Sequence, residues 1–154
     1  MSLPWGLYRV LAPALGAALP LARAFVPSAG RGDWDERLGL AAPRGPVDAW
    51  VHAASMGEAV AAGALVRGLV AAAPGARVLT SATTRTGRER LAGLGPAVLA
   101  PLDAPQCVAR FLERVAPRRL FVVETELWPH WLLGARGAGV PVVVTSARLS
   151  ERSA

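Results

Sequence analysis

Residues 49–58 read Ala-Trp-Val-His-Ala-Ala-Ser-Met-Gly-Glu. The run Ala49–Ala53 is short and apolar, as a buried strand is. From Glu58 to Ala73 the chain is Ala-rich, has apolar residues at helical spacing, and is stopped by Pro74-Gly75. Strand and helix candidates are therefore joined by a few residues only. Gly57 permits a tight turn there and Ser55 can help cap the helix. Glu58 then falls in the first helical turn, where the helix dipole favours a negative side chain by about 0.3–1 kcal/mol.

The same alternation continues down the chain. Strands are expected at Arg77–Ala82, Ala97–Ala100, Arg119–Glu124 and Val140–Thr145. Helices are expected at Thr86–Leu94, Ala104–Val115 and Pro129–Ala138, the last with Pro in its first turn. Apolar runs separated by helices predict a parallel sheet with right-handed crossovers, an α/β, Rossmann-like domain. Continuous runs such as Leu120-Phe-Val-Val123 suit a sheet covered on both faces.

In such a sheet the ligand cleft lies at the carboxyl ends of the strands. That rule selects Ser55-Met56-Gly57-Glu58, Thr83–Gly87, Asp103, Glu124-Thr125-Glu126 and Ser146-Ala147-Arg148. An ionised, positioned carboxylate such as Glu58 is what a general base for a sugar hydroxyl needs; favourable placement in the helix dipole is the plainer reading. Thr84-Arg85-Thr86-Gly87 opens a helix whose hydroxyls and amides could hold an anion, or simply cap it. Glu124 or Glu126 could bind hydroxyls or orient an arginine. Trp128 is expected to pack under its helix, His52 to be a core residue or to support the site from behind, and His130 to lie on the surface. No Gly-x-Gly-x-x-Gly follows the first strand, so a dinucleotide site is not supported.

Composition narrows the remaining classes. Hydrophobic residues make up 53% of the 154, enough for one domain core. The net charge is +6, with arginine as the basic residue throughout and no lysine. The arginines are scattered and aromatics few, which argues against nucleic-acid binding and leaves anionic membranes and phosphorylated ligands. The single Cys107 excludes an internal disulfide and reads as a buried, inert thiol. Two histidines without ligand spacing around them give no metal site.

Residues 1–26 are apolar apart from Arg9 and Arg23, but the uncharged core Val10–Ala22 is short and interrupted by prolines. A membrane anchor or interfacial helix flanked by arginines is expected here. Residues 27–46, rich in Gly, Pro and charge, are expected to form a linker, leaving 47–154 as the folded domain.

Several motifs together resemble one family. Asp35-Glu-Arg-Leu-Gly39, Ser55-Met-Gly-Glu58, Thr86-Gly87 with Glu89-Arg90, Pro101-Leu-Asp103, Glu124-Thr-Glu-Leu-Trp-Pro129 and Ala147-Arg-Leu-Ser-Glu-Arg-Ser153 follow one another as in the 3-deoxy-D-manno-octulosonic acid (Kdo) transferases. The resemblance covers nearly the whole chain. It implies a two-domain GT-B glycosyltransferase of lipopolysaccharide biosynthesis, of which this chain is the amino-terminal, acceptor-side half. Such an enzyme moves Kdo from CMP-Kdo to a lipid A precursor at the cytoplasmic face of the inner membrane, with inversion, one catalytic base and no metal or other cofactor. Carried onto this sequence, Glu58 is the base, and Ser55, Gly57, Thr86, Gly87, Glu124, Glu126 and Arg148 belong to the acceptor side. Arg85 stands where the family typically has Pro, and Ser146 where it has Asn. Without the nucleotide-binding half, little transferase activity is expected of these residues alone. A non-catalytic, membrane-attached binding module needing a partner chain is the alternative. A disaccharide synthase of the same pathway would share the sheet but lack Glu-Thr-Glu-Leu-Trp-Pro.

Overall fold

A computed structural model describes residues 5–124 and 127–145. Among these residues five strands are found: β1 (Ala49–His52), β2 (Val78–Ala82), β3 (Ala97–Leu99), β4 (Leu120–Val123) and β5 (Val142–Thr145). They pair in the order β3-β2-β1-β4-β5, all parallel. The helices between them are α3 (Met56–Ala72), α4 (Arg85–Ala92), α5 (Pro105–Val115) and α6 (Pro129–Gly137). Each expected strand and crossover helix is present, with ends shifted by at most two residues.

Alternation along β1 builds two different layers. Ala49, Val51 and Ala53 face a layer with Ala59, Ala62 and Val66 of α3 and Leu91 of α4. These small side chains let α3 and α4 lie close to the sheet and to each other. Trp50 faces the other way, with Val108, Phe111 and Leu112 of α5 and Trp131 of α6. Trp50 packs tilted on Phe111 and Trp131, with ring centroids 4.5 and 5.2 Å apart, so that layer is thick and aromatic.

Two further helices precede the sheet: α1 (Trp5–Ala22), followed by a single 3₁₀ turn (Arg23–Phe25), and α2 (Ser28–Arg37). The expected linker over 27–46 is therefore corrected. Its first half is a helix, and the following Leu38 is buried against Cys107 and Ala104. Glycine and charge signal a linker only when the charges are solvated; here they are paired. Asp33 and Glu36 both accept from Arg88 Nη1, at 2.9 and 3.0 Å, and Asp33 also pairs with Arg85. Glu36 further accepts the Leu99 N–H at 2.6 Å, and Arg37 Nη2 donates to the Thr83 carbonyl at 2.7 Å. These bonds seat α2 across the carboxyl ends of β2 and β3.

The helix α1 continues through Pro13 and packs on α5. Gln106 donates to the Pro13 carbonyl at 3.1 Å. Its outward side carries Leu11, Ala14, Ala18 and Leu21, all exposed, and the line continues to Phe25, which is 88% exposed. Among the described residues no helix is long and apolar enough to cross a membrane.

Candidate active site

The strand order reverses between β1 and β4, which lie side by side with His52 opposite Val122. This is the switch point where an open parallel sheet leaves a crevice at its carboxyl edge. The turn after β1 ends in Ser55-Met-Gly-Glu58, and the turn after β4 begins with Glu124. Both residues therefore follow neighbouring strands at the same edge. The far end of that edge, above β2 and β3, is covered by α2.

Glu58 is held by its own turn. Ser55 is the N-cap of α3, and its Oγ accepts the Glu58 N–H at 3.4 Å. The Glu58 carboxylate reaches back to accept the Ala54 N–H at 2.6 Å and the Ser55 hydroxyl at 3.3 Å. This is a variant of the capping box, with the acid three residues after the cap. It satisfies end groups that the helix cannot and fixes the carboxylate with lone pairs to spare, since a carboxylate has about four acceptor sites. Glu58 lies beside the exposed Met56 and half-buried Ser55. The turn does not depend on glycine for its dihedrals, however. Gly57 has no positive φ, and a Cβ there would meet only Ser55 Oγ, at 3.9 Å. Gly57 leaves the rim bare beside the acid.

Glu124 is held differently. Its φ of 63° is left-handed, which is uncommon for a residue with a side chain. Its N–H donates to the Thr145 carbonyl at 2.7 Å, so the ladder to β5 extends one residue past β4 and then turns sharply. Glu126, Thr125, Ser146 and Arg148 lie outside the described residues.

The Thr84–Gly87 turn behaves as a cap. Thr84 Oγ1 accepts the Gly87 N–H at 3.1 Å, and the Asp33 carboxylate sits on Arg85 and Arg88. Of the two readings of this turn, capping is the one its hydrogen bonds support, and the acids of α2 neutralise the arginines beside it. Thr86 is exposed at this helix start, but Gly87 is buried. A Cβ on Gly87 would come within 2.9 Å of the Ala82 Cβ and 3.5 Å of the Ser55 carbonyl carbon. Gly87 serves to seat α4 against the turn that carries Glu58.

Several residues differ from their sequence reading or were missed by it. His130 is buried, not on the surface. Its ring lies 5.0 Å from that of Tyr8, and its Nδ1 is 3.5 Å from Asp103. Asp103 organises this corner, accepting the His130 and Trp131 N–H groups at 2.9 and 3.2 Å at the start of α6, and the Tyr8 hydroxyl from α1. Burial, and then Asp103, push the Tyr8 phenol well above its ordinary range. Trp128 is 37% exposed, with its ring 6.3 Å from that of Trp131, and it is Trp131 that fills the interior. Arg37 and Trp128 flank a small hollow of about 80 Å³ beside Thr83 and Leu102. Its aromatic and cationic walls come from elements distant in sequence, so no local signal marks it.

His52 and Cys107 are core groups, as expected. The His52 Nδ1 is 2.9 Å from Ser81 Oγ, its ring meets Trp131 edge-on, and burial lowers its pKa to about 3. Burial raises the Cys107 thiol above its ordinary value, away from the reactive thiolate. No group of three or more metal-ligating side chains occurs among the described residues.

Comparison with known proteins gives this geometry a family. The family model for "3-Deoxy-D-manno-octulosonic-acid transferase (kdotransferase)" matches residues 32–154. The 3-deoxy-D-manno-octulosonic acid transferase of Bordetella pertussis is 42% identical over 139 residues, 79% of this chain and 32% of that protein. The corresponding protein of Haemophilus influenzae is 41% identical over 113 residues, covering 71% of this chain and 26% of its own length. A probable mitochondrial 3-deoxy-D-manno-octulosonic acid transferase of Arabidopsis thaliana is 32% identical over 126 residues, 78% of this chain and 28% of that protein. The chain thus spans about a third or less of the curated relatives it matches. From residue 32, within α2, to its last residue, with the Glu58 turn and the Glu124 corner inside the matched span, the chain belongs to the Kdo transferase family.

Proposed function

We propose that this chain forms the acceptor side of an inverting GT-B glycosyltransferase that moves Kdo from CMP-Kdo to a lipid A precursor, with Glu58 as the base. The observation that carries this reading is the capping box at the switch point. It holds a carboxylate at the carboxyl edge of the sheet, with acceptor positions unused among the described residues, next to the strand that leads into Glu124. In the reaction, the Glu58 carboxylate takes the proton of an acceptor hydroxyl as its oxygen bonds to the anomeric carbon of Kdo. The bond from that carbon to the phosphate oxygen breaks, and CMP leaves with the electron pair. Ser55, Gly57, Thr86 and Glu124 supply the acceptor rim, joined by Glu126 and Arg148; Gly87 contributes by placing α4. The nucleotide is held mainly by residues outside these 154, so little transfer is expected of them alone.

The test is Glu58→Gln in the enzyme that carries this chain. The new amide keeps an oxygen for the Ala54 N–H but is no base. Transfer is expected to fall by roughly 10²–10⁴-fold, the usual contribution of a general base, with the melting temperature retained. A variant with near-normal turnover overturns the assignment.

The acceptor's location gives α1 a role. Its docked side holds Tyr8, Ala12 and Gly16, while Leu11, Leu21 and Phe25 face outward. We propose that α1 lies in the cytoplasmic surface of the inner membrane and does not cross it. Replacing Leu21 and Phe25 by Glu should abolish co-sedimentation with phospholipid vesicles; unchanged co-sedimentation sinks this reading.

A further inference from the structure

At the opposite edge of the sheet from Glu58 lies an open hollow of about 600 Å³, within the size range of small-ligand sites. It is bounded by the Gly39–Pro46 segment and by the second half of α5. Three arginines line it, Arg44, Arg110 and Arg114, against one carboxylate, Glu113. Arg110 and Arg114 are four residues apart on α5, so they share one face of that helix.

The three guanidiniums are little used by the fold. Arg114 donates through Nε to the Ala42 carbonyl at 2.9 Å, which fixes its side chain along the wall. Its backbone carbonyl accepts the Gly45 N–H at 2.9 Å, closing the loop around the hollow. Arg44 is exposed. Arg110 Nη1 is shut off from solvent and bonds to no described atom. A buried donor without an acceptor is costly, so the Arg110 side chain gains by turning toward an acceptor that enters the hollow. Gly39, with φ of +74°, brings the loop so close to α5 that a Cβ would lie 2.5 Å from the Cys107 carbonyl oxygen. The walls are therefore fixed by close backbone contact.

We infer that this hollow is a second ligand site, which binds a phosphate group through Arg44, Arg110 and Arg114. Guanidinium groups are matched in shape to phosphate and bond it in pairs. The site has no part in the chemistry at Glu58, so its failure would leave that assignment standing. A lipid headgroup and a free phosphate compound share the chemistry that fits it.

The test uses the whole 154-residue chain and two probes. Inorganic pyrophosphate is titrated by calorimetry, and vesicles of equal phosphatidylcholine and phosphatidylglycerol are compared with phosphatidylcholine alone by co-sedimentation. The double variant Arg110→Gln/Arg114→Gln should weaken binding about tenfold or more. Arg44→Gln, at an exposed position, tests the same site without touching the packed part of α5, and should weaken binding several-fold. Arg136→Gln on α6 removes one charge elsewhere and should change nothing. Pyrophosphate affinity lost in the site variants assigns a free phosphate compound. Loss of the phosphatidylglycerol-dependent part alone assigns a lipid headgroup. Absence of binding to either probe, or equal weakening by Arg136→Gln, overturns the proposal.

Discussion

Ser55 and Glu58 show how far one residue can be read from sequence. The pattern Ser-x-x-Glu after an apolar run announces both the cap and the direction of the acid, and the bonds within the turn follow from it. Glu124 was legible as a candidate only by its place after β4. Its left-handed backbone accompanies the ladder bond to Thr145, far along the chain, and nothing local encodes that. Such a conformation costs a residue with a Cβ about 1–2 kcal/mol, and strain of this sort gathers at functional sites. Glu124→Gly is therefore expected to be more stable than Glu124→Ala by about 1 kcal/mol in urea denaturation, because both lose the carboxylate but only glycine relieves the backbone. Equal stabilities would mean that the left-handed turn carries no strain. His130 left its expected surface position for a related reason. Asp103, from the turn after β3, captures the first amides of α6 and draws His130 inward, and a partner so distant leaves no mark beside the histidine.

At the scale of elements, the crossover helices and strands were legible from their apolar runs and helical spacing, which hold even for β5, where Val143 and Val144 stay exposed. The helix α2 was not. Its sequence, Ser-Ala-Gly-Arg-Gly-Asp-Trp-Asp-Glu-Arg, has two glycines and little apolar periodicity. What makes it an element is a set of bonds made to residues distant in the chain, in α4 and β3. Glu36 is the centre of that set, since one carboxylate oxygen serves both Arg88 and the Leu99 N–H. Glu36→Ala would leave that amide without an acceptor at the end of β3. A loss of roughly 1–3 kcal/mol in unfolding free energy is expected, together with faster amide exchange at Leu99. Glu36→Gln keeps a carbonyl oxygen for the amide and should lose less. If the two variants are equally stable, the Arg88 pair and not the amide holds α2 in place. The same seating shapes that edge, because α2 closes its β2–β3 end and, among the described residues, leaves the β1–β4 end uncovered.

For the whole molecule, one buried imidazole sets how stability responds to acid. His52 sits in the middle of the sheet, between Ser81 and Trp131, with no exposed surface. Burial lowers its folded pKa to about 3, against about 6.5 when unfolded. The folded state therefore refuses a proton that the unfolded state accepts. This contribution is fully present above about pH 6.5 and is lost as the pH falls toward about 3. The slope between those limits approaches about 1.4 kcal/mol per pH unit, and integration from about pH 7 to about pH 5 gives a loss of about 2 kcal/mol. Asp35, whose carboxyl Arg23 holds below the usual range, also favours the folded state only while ionised, but it is lost at lower pH and adds little in this window. Urea denaturation of the wild-type chain at about pH 7 and about pH 5 should show the difference, and His52→Asn, which does not titrate there, should be nearly flat over the same interval. The variant begins less stable because it opens space against Trp131, so the pH dependence and not the absolute stability is the quantity to compare. A His52→Asn chain that loses as much stability as wild type between these two pH values would place the acid-sensitive group elsewhere in the fold.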